Sequence, residues 1–523
     1  MVPSRLGSRS RALALLAVCA LWSCSSGGAS QSVPRTPSDA SARFTITVPA
    51  SSTTSSSARK PAYVSLATQS IVITLTSVNG RPYTGSAAST AINLSTLTPG
   101  CSGSPLTCTV TVSAVVGSDV FSVVTYDAAQ MSPFTTATGN VLSQATMSVA
   151  VVAGPNTVMV VLNGVAKTIS ATFASDPHIS GSMASGYSII GNAPYTMTLT
   201  AQDASGETIV GDGAPTFTVT SGSSAVAVSG SGNAMTVRVQ SYSATRAQLT
   251  VTPSLGSAAS VAITTVQELW VANEGSSTVT GYVPGTNTAI AADTISANLS
   301  APSALAFDPN GNLWVANGNN TVTAYVPGTN IAIAGDTFPS TTSALAFDAS
   351  GLLWISSGSD AVTAVAGTPP TILGGDDIFG VGYVDGLAFD TSGNLWVSDS
   401  YGARYNSVTV YVPGPGSMIG GDTISVNVPQ GLAFDTSGNL WVANSGGVTA
   451  YAPGTPPSII AADTITASLD GPYGVAFDEA GKLWVANSGN SSVTAYVPGT
   501  NAAVAADTIT ASLSGPHGLV FAP

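Results

Sequence analysis

The chain has 523 residues, too many for one hydrophobic core, so two to four domains are expected. Charged residues make up 7% and hydrophobic residues 44%, yet beyond the N-terminus no stretch reaches the ~20 apolar residues of a spanning helix. The formal net charge of −13 disfavours nucleic acid as a partner, because phosphates need a basic face. Abundant Gly, Ser, Thr and Val favour strands and turns.

The N-terminus has the organisation of an export signal. An apolar run, residues 12–22, follows three arginines, Arg5, Arg9 and Arg11. The next residues, Leu21-Trp22-Ser23-Cys24, resemble the bacterial lipobox. We therefore interpret residues 1–24 as a lipoprotein signal peptide with lipid on Cys24. The alternative is ordinary signal cleavage nearby, which would give a soluble secreted protein.

Two β-rich segments follow a Ser-, Gly- and Pro-rich stretch, residues 25–41, that we expect to be a flexible tether. Residues 42–165 contain short alternating runs separated by polar turns, which predicts a β-sandwich. Residues 166–265 repeat this pattern. Their phrase from Leu199 to Val219 resembles bacterial Ig-like domains, so both segments are interpreted as Ig-like β-sandwiches.

Cysteine usage agrees with an oxidising compartment. Cys24 is assigned to the lipid, and Cys101 and Cys108 remain as a pair that brackets a short loop. We expect a disulfide bond between them. A metal site would need more ligands, and because His178 and His517 are the only histidines, we expect the chain to offer no metal-binding cluster.

A phrase close to Leu-Trp-Val-Ala-Asn recurs through residues 266–523. Its tryptophans are 40 to 45 residues apart, at Trp270, Trp314, Trp354, Trp396, Trp441 and Trp484. A Phe stands seven residues before five of them, at Phe307, Phe347, Phe389, Phe434 and Phe477. Each unit has room for four short strands, and radial stacking of such sheets buries both faces of each. The repeat predicts a β-propeller.

The first and last units are complementary. No Phe stands seven residues before Trp270, whereas Phe521 ends a first-strand sequence that no Trp follows. Phe521 is therefore expected to complete the Trp270 unit. The predicted fold class is all-β, with two Ig-like β-sandwiches followed by a six-bladed β-propeller closed by the C-terminal strand.

The units resemble NHL-type propeller repeats, especially those of streptogramin-lyase-like proteins, through phrases such as GLAFDTSGNLWVAN at 431–444. The lyases imply a catalytic Glu three residues after a repeat Trp, with histidine partners and magnesium. None of the matching positions is Glu, since they are Asn273, Asn317, Ser357, Asp399, Asn444 and Asn487. Lyase activity is therefore disfavoured, and no catalytic residue is predicted.

A gluconolactonase-like enzyme would hold a divalent cation in the channel with Glu, Asp and Asn. Residues 266–523 carry 19 acidic side chains against Arg404 and Lys482, so calcium or magnesium stays open as an alternative. However, the acidic residues recur in every unit, in the turn after Phe and before a short strand. Such repetition favours a structural role, and no cofactor is predicted.

An insertion in the Trp396 unit is the clearest irregularity. Its polar and aromatic side chains suit recognition and are expected on the same face as His517. The candidate ligand rim is Asp399, Tyr401, Arg404, Tyr405 and His517. The alternative is a variable surface loop.

These patterns favour an exported, lipid-anchored cell-envelope protein, on the periplasmic side or the cell surface. Its propeller would be a non-catalytic binding module for a protein or glycan ligand, and the N-terminal lipid would supply its membrane contact. One alternative is a metal-dependent propeller enzyme, either a lactone hydrolase or a streptogramin-type lyase. Another is a surface-layer component without a discrete ligand.

Overall fold

The computed structural model describes residues 40–49, 64–85, 88–242, 245–326, 329, 331–357, 361–367, 370–373, 377–401, 406–413, 417–418, 423–452, 454, 457–500 and 502–523. The predicted signal peptide with Cys24, and the predicted rim residues Arg404 and Tyr405, lie outside them. The described chain is all-β, with two 3₁₀ turns at Glu274–Ser276 and Ala505–Asp507. None of its helical segments is long and apolar enough to cross a membrane.

Two sheets face each other across the first hydrophobic core. One has the order β5-β6-β1-β9, and the other has the order β10-β8-β7-β2-β3 with β4 also on β2. Their strands are β1 Ala40–Val48, β2 Ser70–Val78, β3 Arg81–Pro82, β4 Ser89–Asn93, β5 Cys101–Ser102, β6 Leu106–Ser113, β7 Gly117–Tyr126, β8 Val141–Val151, β9 Gly154–Val158 and β10 Asn163–Gly164. Phe44 and Phe121 meet edge to face at the centre. A disulfide bond joins Cys101 on β5 to Cys108 on β6.

A second pair of sheets encloses its own core. The orders are β11-β14-β17-β16 and β12-β13-β19-β18-β15. The strands are β11 Thr168–Phe173, β12 Ile179–Ser182, β13 Gly186–Ile190, β14 Tyr195–Gln202, β15 Phe217–Ser221, β16 Val226–Ser231, β17 Ala234–Val239, β18 Ala247–Pro253 and β19 Ala259–Val266. Their alternating burial follows the apolar residues, as in β14 and β18.

Six small sheets form the rest of the chain, and each contains one repeat tryptophan, after which we name it. The Trp270 and Trp314 sheets have the orders β22-β21-β20-β44 and β23-β24-β25-β26. Their strands are β20 Leu269–Asn273, β21 Thr278–Tyr282, β22 Ala289–Ile295, β23 Pro302–Phe307, β24 Leu313–Asn317, β25 Thr321–Val326, β26 Ile331–Pro339 and, from the end of the chain, β44 Pro516–Phe521.

Three of the other four sheets repeat this order, with β31 and β36 as additional outer strands, and the Trp484 sheet has three strands, β41-β42-β43. The Trp354 and Trp396 sheets consist of β27 Leu345–Phe347, β28 Leu353–Ser357, β29 Ala361–Ala366, β30 Thr371–Ile372, β31 Ile378–Phe379, β32 Tyr383–Phe389, β33 Leu395–Tyr401, β34 Ser407–Val412, β35 Ser417–Met418 and β36 Ile424–Ser425. The Trp441 and Trp484 sheets consist of β37 Leu432–Phe434, β38 Leu440–Asn444, β39 Gly447–Ala452, β40 Ser458–Ile465, β41 Pro472–Phe477, β42 Leu483–Asn487 and β43 Ser492–Tyr496.

The six sheets are arranged in a closed circuit. Their innermost strands contact one another in the order β23, β27, β32, β37, β41 and β44, and β44 contacts β23 again. Tryptophans of one sheet meet the Phe of the next edge to face, as Trp441 meets Phe477 with ring centroids 5.7 Å apart. Such packing buries both faces of each sheet and makes this half propeller-like.

The aspartates in the turns after Phe accept hydrogen bonds from groups of their own sheet. Asp308 accepts the backbone N–H groups of Asn310 and Asn312 and the indole N–H of Trp314, at 2.8, 2.9 and 3.3 Å. The same indole bond recurs with Asp348, Asp390, Asp435 and Asp478. These repeated carboxylates are therefore part of the turn and core architecture.

The second pair of sheets contacts the propeller-like half at the end where its innermost strands finish. Asn192 Nδ2 donates to the carbonyl of Pro523 at 3.0 Å, and the backbone N–H of Tyr242 donates to Glu479 Oε2 at 2.8 Å. The opposite end, where the innermost strands begin, lies far from this contact.

Candidate functional site

A ring of six polar residues surrounds the end of the channel where the innermost strands begin. Each stands four residues before the Phe of its sheet and is half-buried. The ring consists of Ser303, Ser343, Asp385, Gln430, Tyr473 and His517. The equivalent register places one side chain from every sheet at the same level. We call this set the mouth ring.

Close approach of the innermost strands fixes the ring. A Cβ at Gly386 would lie 2.4 Å from the carbonyl oxygen of Gln430, and one at Gly474 would lie 2.2 Å from that of His517. Side chains at these two positions would force the strands apart, since real Cβ contacts are not this short. The glycines therefore keep neighbouring ring residues side by side.

Asp385 lies at the centre of a hydrogen-bond network. The hydroxyl of Tyr473 donates to its Oδ1 at 3.2 Å, and Ser400 Oγ donates to its Oδ2. Burial raises the pKa of Asp385, although these two donors and the nearby His517 oppose the increase. The carboxylate is therefore a hydrogen-bond acceptor that its neighbours hold in one orientation.

His517 is held from two sides. Its ring stacks on Tyr473 with centroids 4.1 Å apart and an angle of 13° between the planes. Its Nε2 lies 2.8 Å from Glu274 Oε2 on the neighbouring 3₁₀ turn. Burial lowers the pKa of His517, against the opposing effect of Glu274 and Asp385. A neutral imidazole is favoured at pH 7, with one ring nitrogen engaged by Glu274.

The channel at the mouth ring is narrow. Its cavity has a volume of about 80 Å³ and is lined by the ring residues Ser303, Asp385 and Tyr473 together with leucines of the innermost strands, such as Leu305 and Leu387. Pockets for small molecules commonly occupy about 300–1,000 Å³. A ligand of that size would therefore be held at the mouth ring and not within the channel.

Asp399 of the predicted rim is buried within β33 and does not point into solvent. Its Oδ2 accepts the backbone N–H of Gly382 at 3.0 Å. It therefore holds the loop that leads into β32. Tyr401 ends β33 opposite Tyr383, but its side chain lies outside the described residues. Arg404 and Tyr405 also remain predictions.

The loop that Asp399 holds carries exposed aromatic side chains. Phe379 and Tyr383 are 73% and 55% exposed. Phe379 pairs with Ala361, the first residue of β29, which places it at the same end of the sheets as the mouth ring. These rings extend the polar mouth with an apolar surface on one side.

The positions that match the lyase glutamate have a structural role. Asn487 donates to Ser492 and Thr494 at 3.2 Å each and accepts the backbone N–H of Asp470 at 3.3 Å. Asn273 likewise accepts the backbone N–H of Ser514 at 3.3 Å. These asparagines tie the loops that enter the innermost strands, and their neutral amides cannot perform acid–base catalysis.

The sequence reasoning identified His517 but missed the other five members of the mouth ring. The signal was available, because all six stand at one fixed position of the repeat where the residue type varies but is always polar. Glu274 was missed for a different reason. Its contact with His517 forms only where β44, from the end of the chain, completes the Trp270 sheet, so it joins residues that are far apart in the sequence.

Comparisons with known proteins place the chain among structures but not within a family. No family model and no curated protein matches it. The fold is similar to a nidogen/laminin complex structure, with 16% identity over 49% of this chain and 98% of that one and a TM-score of 0.37.

Two enzyme structures are also similar. Virginiamycin B lyase from Staphylococcus aureus has 10% identity over 58% of this chain and 96% of its own, with a TM-score of 0.34. A putative gluconolactonase has 16% identity over 42% and 80%, with a TM-score of 0.33. At this level of similarity, neither activity is transferred to this chain.

Proposed function

We propose that this protein is a non-catalytic glycan-binding module of the cell envelope, and that the mouth ring binds the ligand. The observation that carries the proposal is the ring itself, with six polar side chains of five types around the mouth of a narrow channel. Hydroxyl, amide, carboxylate and imidazole groups on one rim suit the many hydroxyls of a sugar, and Phe379 and Tyr383 offer apolar ring faces.

The wider organisation that we propose follows the sequence. Residues 1–24 are a lipoprotein signal peptide with lipid on Cys24, and 25–41 form a tether. Two Ig-like sandwiches, 42–165 and 166–265, act as spacers before a six-bladed NHL-like propeller at 266–523. The contact of the second pair of sheets with the end opposite the mouth supports this order, because it leaves the mouth ring free.

The test is a glycan array probed with the purified chain, followed by calorimetric titration with the best ligand. We expect Gln430→Ala and His517→Gln to weaken binding at least tenfold, since each removes a polar group from the mouth ring. Gln248→Ala is a matched control because Gln248 is an exposed glutamine on β18. It should bind as the unaltered chain does.

Three outcomes would overturn the proposal. They are binding that ring variants leave unchanged, capture of an envelope protein through the ring with no glycan bound, and turnover of a lactone or streptogramin in the presence of calcium or magnesium. The last would establish the alternative, a metal-dependent propeller enzyme.

A further inference from the structure

Two positions of the repeat face each other within a sheet, and the Trp270 sheet differs from the others there. The first position is the residue that stands two places before the repeat Trp. The second is the Asp that directly precedes the Thr-Ile pair on the outer side of the sheet. In the Trp484 sheet they hold Lys482 and Asp507, which form an ion pair at 2.6 Å. In the Trp270 sheet they hold Glu268 and Asp293. Where the Trp484 sheet has the positive charge of Lys482, the Trp270 sheet therefore has a second negative charge, that of Glu268.

The backbone makes room for this extra carboxylate. Gly281 lies opposite Trp270, where the other sheets have Ala or Val. A Cβ at Gly281 would lie 2.0 Å from Glu268 Oε1 and 2.9 Å from the Cβ of Asp293. The missing side chain is therefore what allows the two carboxylates to meet.

Both carboxylates are buried and under-satisfied. Glu268 is 5% exposed and Asp293 is 1% exposed. Within the described residues, Glu268 Oε1 and Asp293 Oδ1 have no hydrogen-bond donor. Two such groups need a cation or a shared proton between them.

The second pair of sheets supplies a third group. His178 comes from its loop before β12, and its Nε2 lies 2.5 Å from Asp293 Oδ2. Its Nδ1 lies 2.8 Å from Asp176 Oδ1. Metal-bound histidines commonly donate the N–H of the second ring nitrogen to a carboxylate, which orients the imidazole and leaves the other nitrogen free to coordinate.

We propose that His178, Glu268 and Asp293 bind one divalent transition-metal ion of the Zn²⁺ type at the junction between the second pair of sheets and the propeller-like half. One donor atom from each residue lies within 4.8 Å of the other two. Tetrahedral zinc with bonds of 2.0–2.2 Å places its ligands about 3.4 Å apart, so a small side-chain movement closes the site.

The donor set favours zinc over the hard cations. Calcium and magnesium take oxygen ligands, whereas an imidazole nitrogen beside two carboxylates is typical of zinc and its neighbours. The ion would neutralise the carboxylate pair and link two units that otherwise meet through a few hydrogen bonds. This role is independent of the mouth ring and of any ligand there.

The experiment uses the untagged chain after treatment with EDTA and dialysis. Zn²⁺ is titrated against a chromogenic chelator, and bound metal is counted by mass spectrometry. We expect one Zn²⁺ per chain and a weaker response to Ca²⁺. His178→Asn and Glu268→Gln should remove this binding, and Asp176→Asn should weaken it about 10- to 100-fold, as expected for loss of an orienting carboxylate.

Two controls match the altered residues. His517→Gln removes the other histidine of the sequence, and Glu479→Gln removes a carboxylate at the same junction. Both should keep the Zn²⁺ site. Glu268→Lys recreates the Lys482–Asp507 pair and should fold without metal and bind none, which separates loss of the site from loss of the fold.

Absence of stoichiometric Zn²⁺ binding would overturn the proposal, as would binding that His178→Asn leaves unchanged. The first result would mean that a proton on Glu268 and a charged His178 neutralise the cluster instead.

Discussion

Phe521 lies directly opposite Leu269 in the antiparallel pair that joins β44 to β20. Phe521 also packs edge to face on Trp484, with ring centroids 5.8 Å apart, and therefore contacts two sheets at once. This one side chain links the first repeat to the last, which makes it the sharpest place to test the closed circuit.

Phe521→Ala should lower the free energy of unfolding of the propeller-like half by about 3–5 kcal/mol, because it removes a buried aromatic ring. Deletion of residues 515–523 should abolish cooperative unfolding of that half. Tryptophan fluorescence in urea measures both. Val497→Ala, at an exposed position, is the control and should stay within about 0.5 kcal/mol. A truncated chain that unfolds like the intact one would contradict the closure.

Tyr473→Phe should loosen Asp385 without removing the ring that stacks on His517. The lost hydroxyl donates to Asp385 Oδ1, so we expect the pKa of Asp385 to rise further and stability to fall by about 1–2 kcal/mol. Carboxyl NMR titration and urea unfolding measure the two effects. Tyr325→Phe removes a hydroxyl bond to the carbonyl of Ala297 and should leave the pKa of Asp385 unchanged.

His517 should make stability depend on pH in a defined direction. Burial lowers its pKa in the folded protein below the ordinary 6.5, so the unfolded chain takes up the proton first as pH falls. Its stabilising contribution is therefore complete above pH 6.5 and is lost as pH falls through the lower folded value. His517→Gln should reduce the loss of stability between pH 7 and 5. An equal loss in both proteins, measured by urea unfolding, would refute this.

Gly281→Ala should destabilise the protein more when Glu268 is present than when it is absent. The new methyl group would collide with Glu268 Oε1, whereas in Glu268→Ala most of that space is free. We expect the double variant to be more stable than the sum of the single effects predicts, by about 1–3 kcal/mol. A double-mutant cycle from urea unfolding measures this coupling. Strictly additive effects would show that the absence of a side chain at position 281 is not needed to accommodate the Glu268 carboxylate.

The repeat architecture could be predicted from sequence because it depends on local patterns. The spacing of Trp and Phe marks the strands, and Asp308 and its equivalents mark the turns after Phe. The mouth ring obeys the same spacing and could have been found in the same way. Because the innermost strands share one register, residues at the same place in the repeat lie at the same level of the channel.

The His178 cluster could not be predicted in this way. His178 and Asp293 are 115 residues apart and come from different units, so their contact depends on how those units dock. Asp293 also looks like its equivalents in the other repeats, such as Asp336 and Asp507, and was interpreted as architecture for that reason. Asp293 differs from these equivalents in its contact with His178 across the junction, and not in its place in the repeat.

The pairing of Leu269 with Phe521 also has a consequence for synthesis. Leu269 emerges from the ribosome long before its partner, so the strand that begins this half waits for the last one while every sheet between them is made. Contacts this distant in sequence slow folding, and unmated apolar faces attract other chains in the meantime. The circuit can therefore close only after β44 has been synthesised, and a chaperone that shields the first sheets until then would raise the yield of native protein.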